Sequence, residues 1–166
     1  MDFADFNDII NQDFRGFVTV ETLQQSACAD IPDEPGVYFI LWPLSETPTF
    51  LPENIGGHFK GKNPTVTIRN LEKKWVNGAK IIYIGKAGSV ASKATLSQRL
   101  YTYMKFGMGN PVAHWGGRYI WQIKQWRSLQ VCWKITEGHE APILESQLIR
   151  EFAEQYGKRP FANLRN

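Results

Sequence analysis

The stretch from Lys80 to Gly107, KIIYIGKAGSVASKATLSQRLYTYMKFG, constrains this chain most, because it writes a strand, a glycine break and a capped helix in a single run. Ile81, Ile82, Tyr83 and Ile84 are β-branched or aromatic, and Gly85 and Gly88 end the run. Thr95-Leu96-Ser97-Gln98 matches a capping box, in which the threonine hydroxyl and the glutamine amide satisfy backbone donors that the first helical turn leaves unpaired. At about 100° per residue, Leu96, Leu100, Tyr103 and Met104 share one stripe of the helix, and Gly107 is a natural left-handed terminator. Arg99 sits at the edge of the stripe. There its stem packs while its guanidinium reaches over the strand end, an arrangement suited to a phosphate.

Other segments supply the remaining elements. Gly36 to Trp42, GVYFILW, is a continuous apolar run of the kind found in a strand buried on both faces, with Tyr38 its only hydroxyl. Val131, Trp133 and Ile135 alternate with Cys132, Lys134 and Thr136, which is strand periodicity. Residues 44–79, rich in Pro, Gly and Lys, form a long insertion between two strands that would otherwise make a hairpin. Phe3, Phe6, Ile10 and Phe14 predict a short N-terminal helix ended by Gly16, Phe17 to Val20 a strand or extended arm, and Thr22 to Ala29 another short helix. After the glycine-rich loop from Gly107 to Gly117, Tyr119, Ile120, Ile123 and Trp126 favour a helix over 118–126. Pro142 suits the first turn of a last helix that runs to Tyr156 and stops at Gly157. Glu145 falls inside its apolar stripe of Leu144, Leu148, Ile149, Phe152 and Tyr156, with no Lys or Arg three or four residues away. A buried carboxylate needs a partner, so it pairs with a distant Arg, lies on an exposed helix edge or ligates a metal.

At 166 residues with 43% apolar content, one domain with a real core is expected. No apolar run reaches the length of a membrane span and the start, MDFADFNDII, is acidic, so a cytoplasmic protein without membrane contact is expected. Cys28 and Cys132 lack metal-ligand spacing, and His58, His114 and His139 do not complete a site, so both thiols read as reduced packing residues. Charge is unevenly spread: residues 1–34 carry one Arg against eight acids, residues 35–139 carry fourteen Lys and Arg against four acids, and residues 140–166 balance. Aromatics interleave with the cations of this basic middle, as suits a polyanion with bases to stack on; on charge alone a solvated basic surface over an aromatic core is slightly favoured. Gly56-Gly57-His58-Phe59-Lys60-Gly61-Lys62 is one residue short of a P-loop and Asn63 replaces its Ser or Thr, which excludes an NTPase.

Gly36-Val37-Tyr38 on one strand, Tyr83-Ile84-Gly85 on the next, and then Arg99, Glu145 and Asn163 resemble, in identity and order, the GIY-YIG nuclease family. The resemblance spans Pro35 to Asn163. It implies an α+β fold, a small antiparallel three-stranded sheet flanked by helices, over a 35–166 nuclease domain; the long insertion and residues 1–34, an acidic N-terminal extension packing on the core, depart from the smallest members of that family. It also implies a site on the sheet face where the two tyrosines meet.

Such a site would hydrolyse DNA phosphodiesters with one Mg²⁺ or Mn²⁺ and no small-molecule cofactor, in a stand-alone enzyme of restriction, defence or mobile-element type, monomer or homodimer. Glu145 would hold the metal and Arg99 the scissile phosphate, Tyr38 would activate or position water, and Tyr83 would support it. With an ordinary tyrosine pKa near 10, the metal, Arg99 or Lys86 must favour the phenolate. Asn163 would fix the site or a phosphate, or cap a turn; Tyr103 would meet the leaving group, or belong to the core. Lys60, Lys62, Arg69, Lys73, Lys74, His114 and Arg118 are candidate DNA contacts. A non-cleaving nucleic-acid-binding module on the same scaffold is the alternative.

Overall fold

In the computed structural model of the protein, residues 1–164 are described. Four strands, β1 (Arg15–Thr19), β2 (Gly36–Leu41), β3 (Ile81–Ala87) and β4 (Gln130–Ile135), form one antiparallel sheet in the order β1-β4-β2-β3. The α+β class is as expected, but the sheet has four strands where three were expected. The extra strand, β1, comes from the N-terminal extension and pairs with β4. Its signal is faint because it is short, none of its residues is fully buried, and a bulge between Gly16 and Val18 interrupts the alternation.

Every residue of central β2 is buried, as its unbroken apolar run requires. On one face Val37, Phe39 and Leu41 meet helix α5 (Ala141–Tyr156) and the N-terminal segment. Phe14 stacks on Phe39 with ring centres 4.1 Å apart, and Phe3 meets Phe152 edge-on at 5.2 Å. The acidic extension is therefore held by aromatic burial. Among the described residues its ion pairs join the Met1 amine to Glu151 and Arg15 to Asp13, so its acids do not salt-bridge the basic middle of the chain. On the opposite face Tyr38, Ile40 and Tyr83 pack with Leu100, Tyr103 and Met104 of helix α4 (Leu96–Gly107).

Two short helices, α1 (Phe6–Asn11) and α2 (Val20–Gln25), flank β1. In α1 the buried residue is Ile9, while Ile10 is 43% exposed, because a six-residue helix leaves Phe3 and Phe14 outside its phase. The insertion holds helix α3 (Ile68–Lys74), and its Trp75 packs against Trp42, Phe50 and Phe161 in the α4-side core. Residues Trp115–Gln122 and Trp126–Ser128 form 3-10 turns where a longer helix was expected. Tight turns let Ile120, Trp121 and Ile123 all point inward over a short span.

The capping box of α4 is present: Thr95 Oγ1 accepts from Gln98 N, and the Gln98 side chain accepts from Thr95 N. Gly107 is not the left-handed terminator. It lies inside α4, the positive φ falls at Gly109 (+91°), and a Cβ at Gly107 would run into the Trp121 ring. Gly157 does end α5 in the left-handed conformation, at φ +71°. Because Thr95 Oγ1 also donates to Asp33 at 2.7 Å, Thr95→Ala removes a cap and a tie to the preceding loop. A loss of about 1–2 kcal/mol in chemical denaturation is expected.

Candidate active site

Tyr38 and Gly85 face each other across the β2–β3 ladder. Side chains directly opposite in a sheet share a face, and a Cβ at Gly85 would overlap the Tyr38 phenol and crowd the Tyr83 ring. Glycine therefore lets both phenols lie over β3, their ring centres 6.0 Å apart. Their exposure differs. Tyr38 is 0% exposed, whereas Tyr83, at 8%, reaches the walls of two adjoining clefts.

The smaller cleft, about 200 Å³, is lined by Tyr83, Lys86, Ala87, Arg99 and Glu145. The larger, about 480 Å³, shares Tyr83 and Glu145 and continues to Ser146, Arg159 and Asn163. The site thus lies at the outer edge of β3 rather than wholly on one sheet face. Arg99 arrives from α4 on the tyrosine face, and Glu145 from α5 on the other. Arg99 is close enough for its charge to act on Tyr38, Tyr83, Tyr103, His114 and Glu145. Distant sequence positions therefore surround one cleft.

Glu145 pairs with Lys86, Nζ to Oε2 3.4 Å. The expected distant partner exists, but it is the lysine that directly follows Tyr83-Ile84-Gly85 rather than an arginine. Burial raises the Glu145 carboxyl above its ordinary value, and the charges of Lys86 and Arg99 offset part of that rise. Among the described residues no cluster of three His, Cys, Asp or Glu is present, and Glu145 is the acid that lines these clefts. Magnesium commonly takes one or two carboxylates, keeps several waters and completes its shell from substrate phosphate. One half-buried carboxylate beside an open cleft fits that donor set if the Lys86 ammonium yields its place.

Burial pushes the Tyr83 hydroxyl up to about 12; Arg99 pulls against this and Glu145 adds to it. Tyr38 is raised further, by burial first and then by Tyr83. Its Oη lies 3.3 Å from His114 Nε2. Tyr103 is fully buried, and its hydroxyl donates to the Gly117 carbonyl at 2.6 Å, so it supports the site from beneath and offers no surface to a substrate. Asn163 works on the backbone: Oδ1 accepts from Ile84 N at 2.9 Å and Nδ2 donates to Ile84 O at 2.8 Å. Together with Ala162 N, which donates to Ile82 O at 2.8 Å, it seals the open edge of β3 beside the cleft.

The expected nucleic-acid contacts divide. Lys60, Lys62 and Arg69 are exposed on the insertion. Lys73 and Lys74 line a third cleft with Lys158 and Tyr119, and Lys158 is the chain neighbour of Arg159 in the second. Lys158 Nζ also donates to the Trp75 carbonyl at the end of α3. Arg118 stacks on Trp115 and Tyr119, 4.5 and 5.2 Å from their centres. His114 is buried, so it is no surface contact. Arg159 and Ser146 were not singled out from sequence. Only Arg159, two residues after the left-handed stop of α5, carried a usable signal, as a cation held near the end of a helix packed on the sheet.

Asn163→Ala strands a buried-edge N–H and C=O together, and a loss of about 1–3 kcal/mol is expected by urea denaturation. Glu145 shows the opposite sign. A carboxyl whose folded pKa is raised binds its proton more tightly in the fold, so stability falls as pH rises from the ordinary value of 4.5 through the folded one. Glu145→Gln is expected to be slightly more stable than wild type at neutral pH, by under about 1 kcal/mol, with the gain vanishing below the ordinary carboxyl range in pH-dependent thermal melts. Comparisons with protein-family models, curated proteins and solved structures return no significant match to this chain.

Proposed function

We propose that the protein is a divalent-metal-dependent endonuclease that hydrolyses DNA phosphodiester bonds at the edge of β3. The observation that carries this reading is the meeting of Tyr83, Lys86, Arg99 and Glu145 around one open cleft. Phosphodiester hydrolysis needs an oriented water, a cation for charge developing on phosphate and a leaving-group environment. Arg99 binds the scissile phosphate and opposes that charge with a planar, permanently cationic fork. Tyr83, the phenol on the cleft wall, orients the attacking water, and Tyr38 holds Tyr83 from below. Glu145 would hold Mg²⁺ or Mn²⁺, which when bound supplies Lewis-acid polarisation of the phosphate. Lys86 leaves the carboxylate as substrate enters and pairs with phosphate instead. The basic clefts through Arg159 to Lys158, Lys73 and Lys74 carry the flanking nucleic-acid backbone.

A second reading has its own support. The Lys86–Glu145 ion pair already neutralises the acid, as expected of a scaffold that binds nucleic acid without cutting it. Digestion of mixed single- and double-stranded DNA with Mg²⁺ or Mn²⁺ separates the two. Cutting is expected, with Arg99→Ala slower by about 10²–10³ and Glu145→Ala inactive yet folded. Cleavage by Glu145→Ala at the wild-type rate removes the mechanism, and salt-dependent binding without cutting under either metal selects the binding module.

A further inference from the structure

The larger cleft, about 480 Å³, has in its wall a glycine that the fold does not account for. Gly116 belongs to the 3-10 turn Trp115–Gln122, its φ lies outside the left-handed region, and among the described residues no atom lies within 4 Å of where its Cβ would be. Of the chain's 14 glycines it alone combines an ordinary φ with such open space. Its neighbour Gly117 is the contrast, since a Cβ there would overlap the Tyr103 hydroxyl. Glycine destabilises a fold relative to alanine wherever alanine fits, because the unfolded chain then has more states to lose. At Gly116 no contact within the described chain offsets that loss.

Nor is Gly116 a hinge. Arg118 lies on the Trp115 ring, and its Nη1 donates to the Trp115 carbonyl at 3.2 Å. Asn54 Nδ2 donates to the Arg118 carbonyl at 2.9 Å, and Tyr103 Oη donates to that of Gly117 at 2.6 Å. The residues on both sides are pinned, so what the missing side chain leaves open is the cleft itself.

The chemistry of the wall selects an occupant. Half-buried Ile149 and Leu164, with a bare glycine peptide, offer flat apolar contact of the kind a nucleobase uses and a phosphate does not. Arg159 in the same wall supplies a cation for the phosphate such a base carries. The volume falls within the range of about 300–1,000 Å³ that holds one small ligand, which admits a nucleotide and excludes a duplex. A paired base shows only its groove edges, and it enters a recess of this size only after leaving the stack.

We propose that the larger cleft is a subsite for one unpaired nucleotide, the neighbour of the phosphate at Arg99, with its base over Gly116 and against Ile149 and Leu164. The protein thereby selects single-stranded or locally unpaired DNA. This rests on the reading above that Arg99 takes a DNA phosphate, in the smaller cleft that shares Tyr83 and Glu145 with this one. Position 116 is glycine because the base fills the space of its side chain.

The test uses the full chain with a chelator present, so that nothing is cut. Fluorescence anisotropy compares three labelled DNAs: a thymidine oligomer, a paired duplex, and the same duplex carrying one unpaired thymidine. Wild type is expected to bind the first and third about tenfold more tightly than the paired duplex. Gly116→Leu fills the cleft, so it should bind the oligomer about ten- to a hundredfold more weakly while binding the paired duplex as wild type does. Gly116→Ala should fall between, and its melting temperature should equal that of wild type or exceed it by up to about 3 °C. Equal binding of all three DNAs by wild type, oligomer binding by Gly116→Leu at the wild-type level, or a Gly116→Ala that melts several degrees lower each overturns the proposal. If Gly116→Leu does not fold, the wild-type preference and Gly116→Ala decide. Cutting is then measured with Mg²⁺ in place of the chelator. A protein that prefers the unpaired DNAs yet cuts none defeats the hydrolase reading and leaves the subsite standing, whereas one that cuts paired DNA without preference does the reverse.

Discussion

With Tyr38 paired across the sheet from Gly85, the phenol occupies space that a Cβ would have taken, and its hydroxyl is committed to the interior. A buried hydroxyl must find a partner or cost the fold a desolvated polar group. Here the partner is His114, itself held by stacking on Tyr103, whose hydroxyl is in turn tied to Gly117. Polar groups from β2, α4 and the following loop are thereby linked to one another under the cleft. Such a chain orders its members more strictly than apolar packing alone, because each hydrogen bond sets a direction.

The cleft owes its position to the edge of the sheet. β3 has a neighbour on one side only, and an open edge exposes unpaired backbone groups. Asn163 and Ala162 cover part of that edge at Ile84 and Ile82, and Asn163 also lines the larger cleft. At an edge, side chains from both faces can meet. This is how Arg99 from α4 and Glu145 from α5 come to share a wall with Tyr83, which no position in the middle of a four-stranded sheet would permit. The raised proton affinity of Glu145 belongs to the same geometry: a carboxylate is kept partly desolvated beside a lysine, at some cost to the fold, in a place where a cation or phosphate can reach it.

Much of this was legible locally. The capping box at Thr95, the doubly buried run of β2, the strand character of β4 and the stop at Gly157 are each encoded within a few residues, where propensity and capping chemistry act without distant help. The features that were misread or left open depend on remote contacts. β1 exists because β4 offers it a partner; Gly107 is small because Trp121 packs there; residues 118–126 curl into 3-10 turns because three apolar side chains must all face inward. The candidate site divides the same way. Tyr38, Tyr83, Arg99, Glu145 and Asn163 stood out by type and order, yet Lys86 as the partner of Glu145, and His114 as a buried companion of Tyr38, had no local signature.

By itself, then, the amino-acid order determined which segments are strands and helices and which chemically able side chains they carry, since backbone propensity and hydrophobic period are properties of near neighbours. Only the tertiary structure decided that Tyr83 rather than Tyr38 meets the cleft, that Glu145 is paired with a lysine, and that Asn163 spends its amide on the backbone of Ile84. Exposure, ion pairing and hydrogen-bond partnership are set by which surfaces are pressed together in space, and that is fixed by packing across the sheet rather than along the chain.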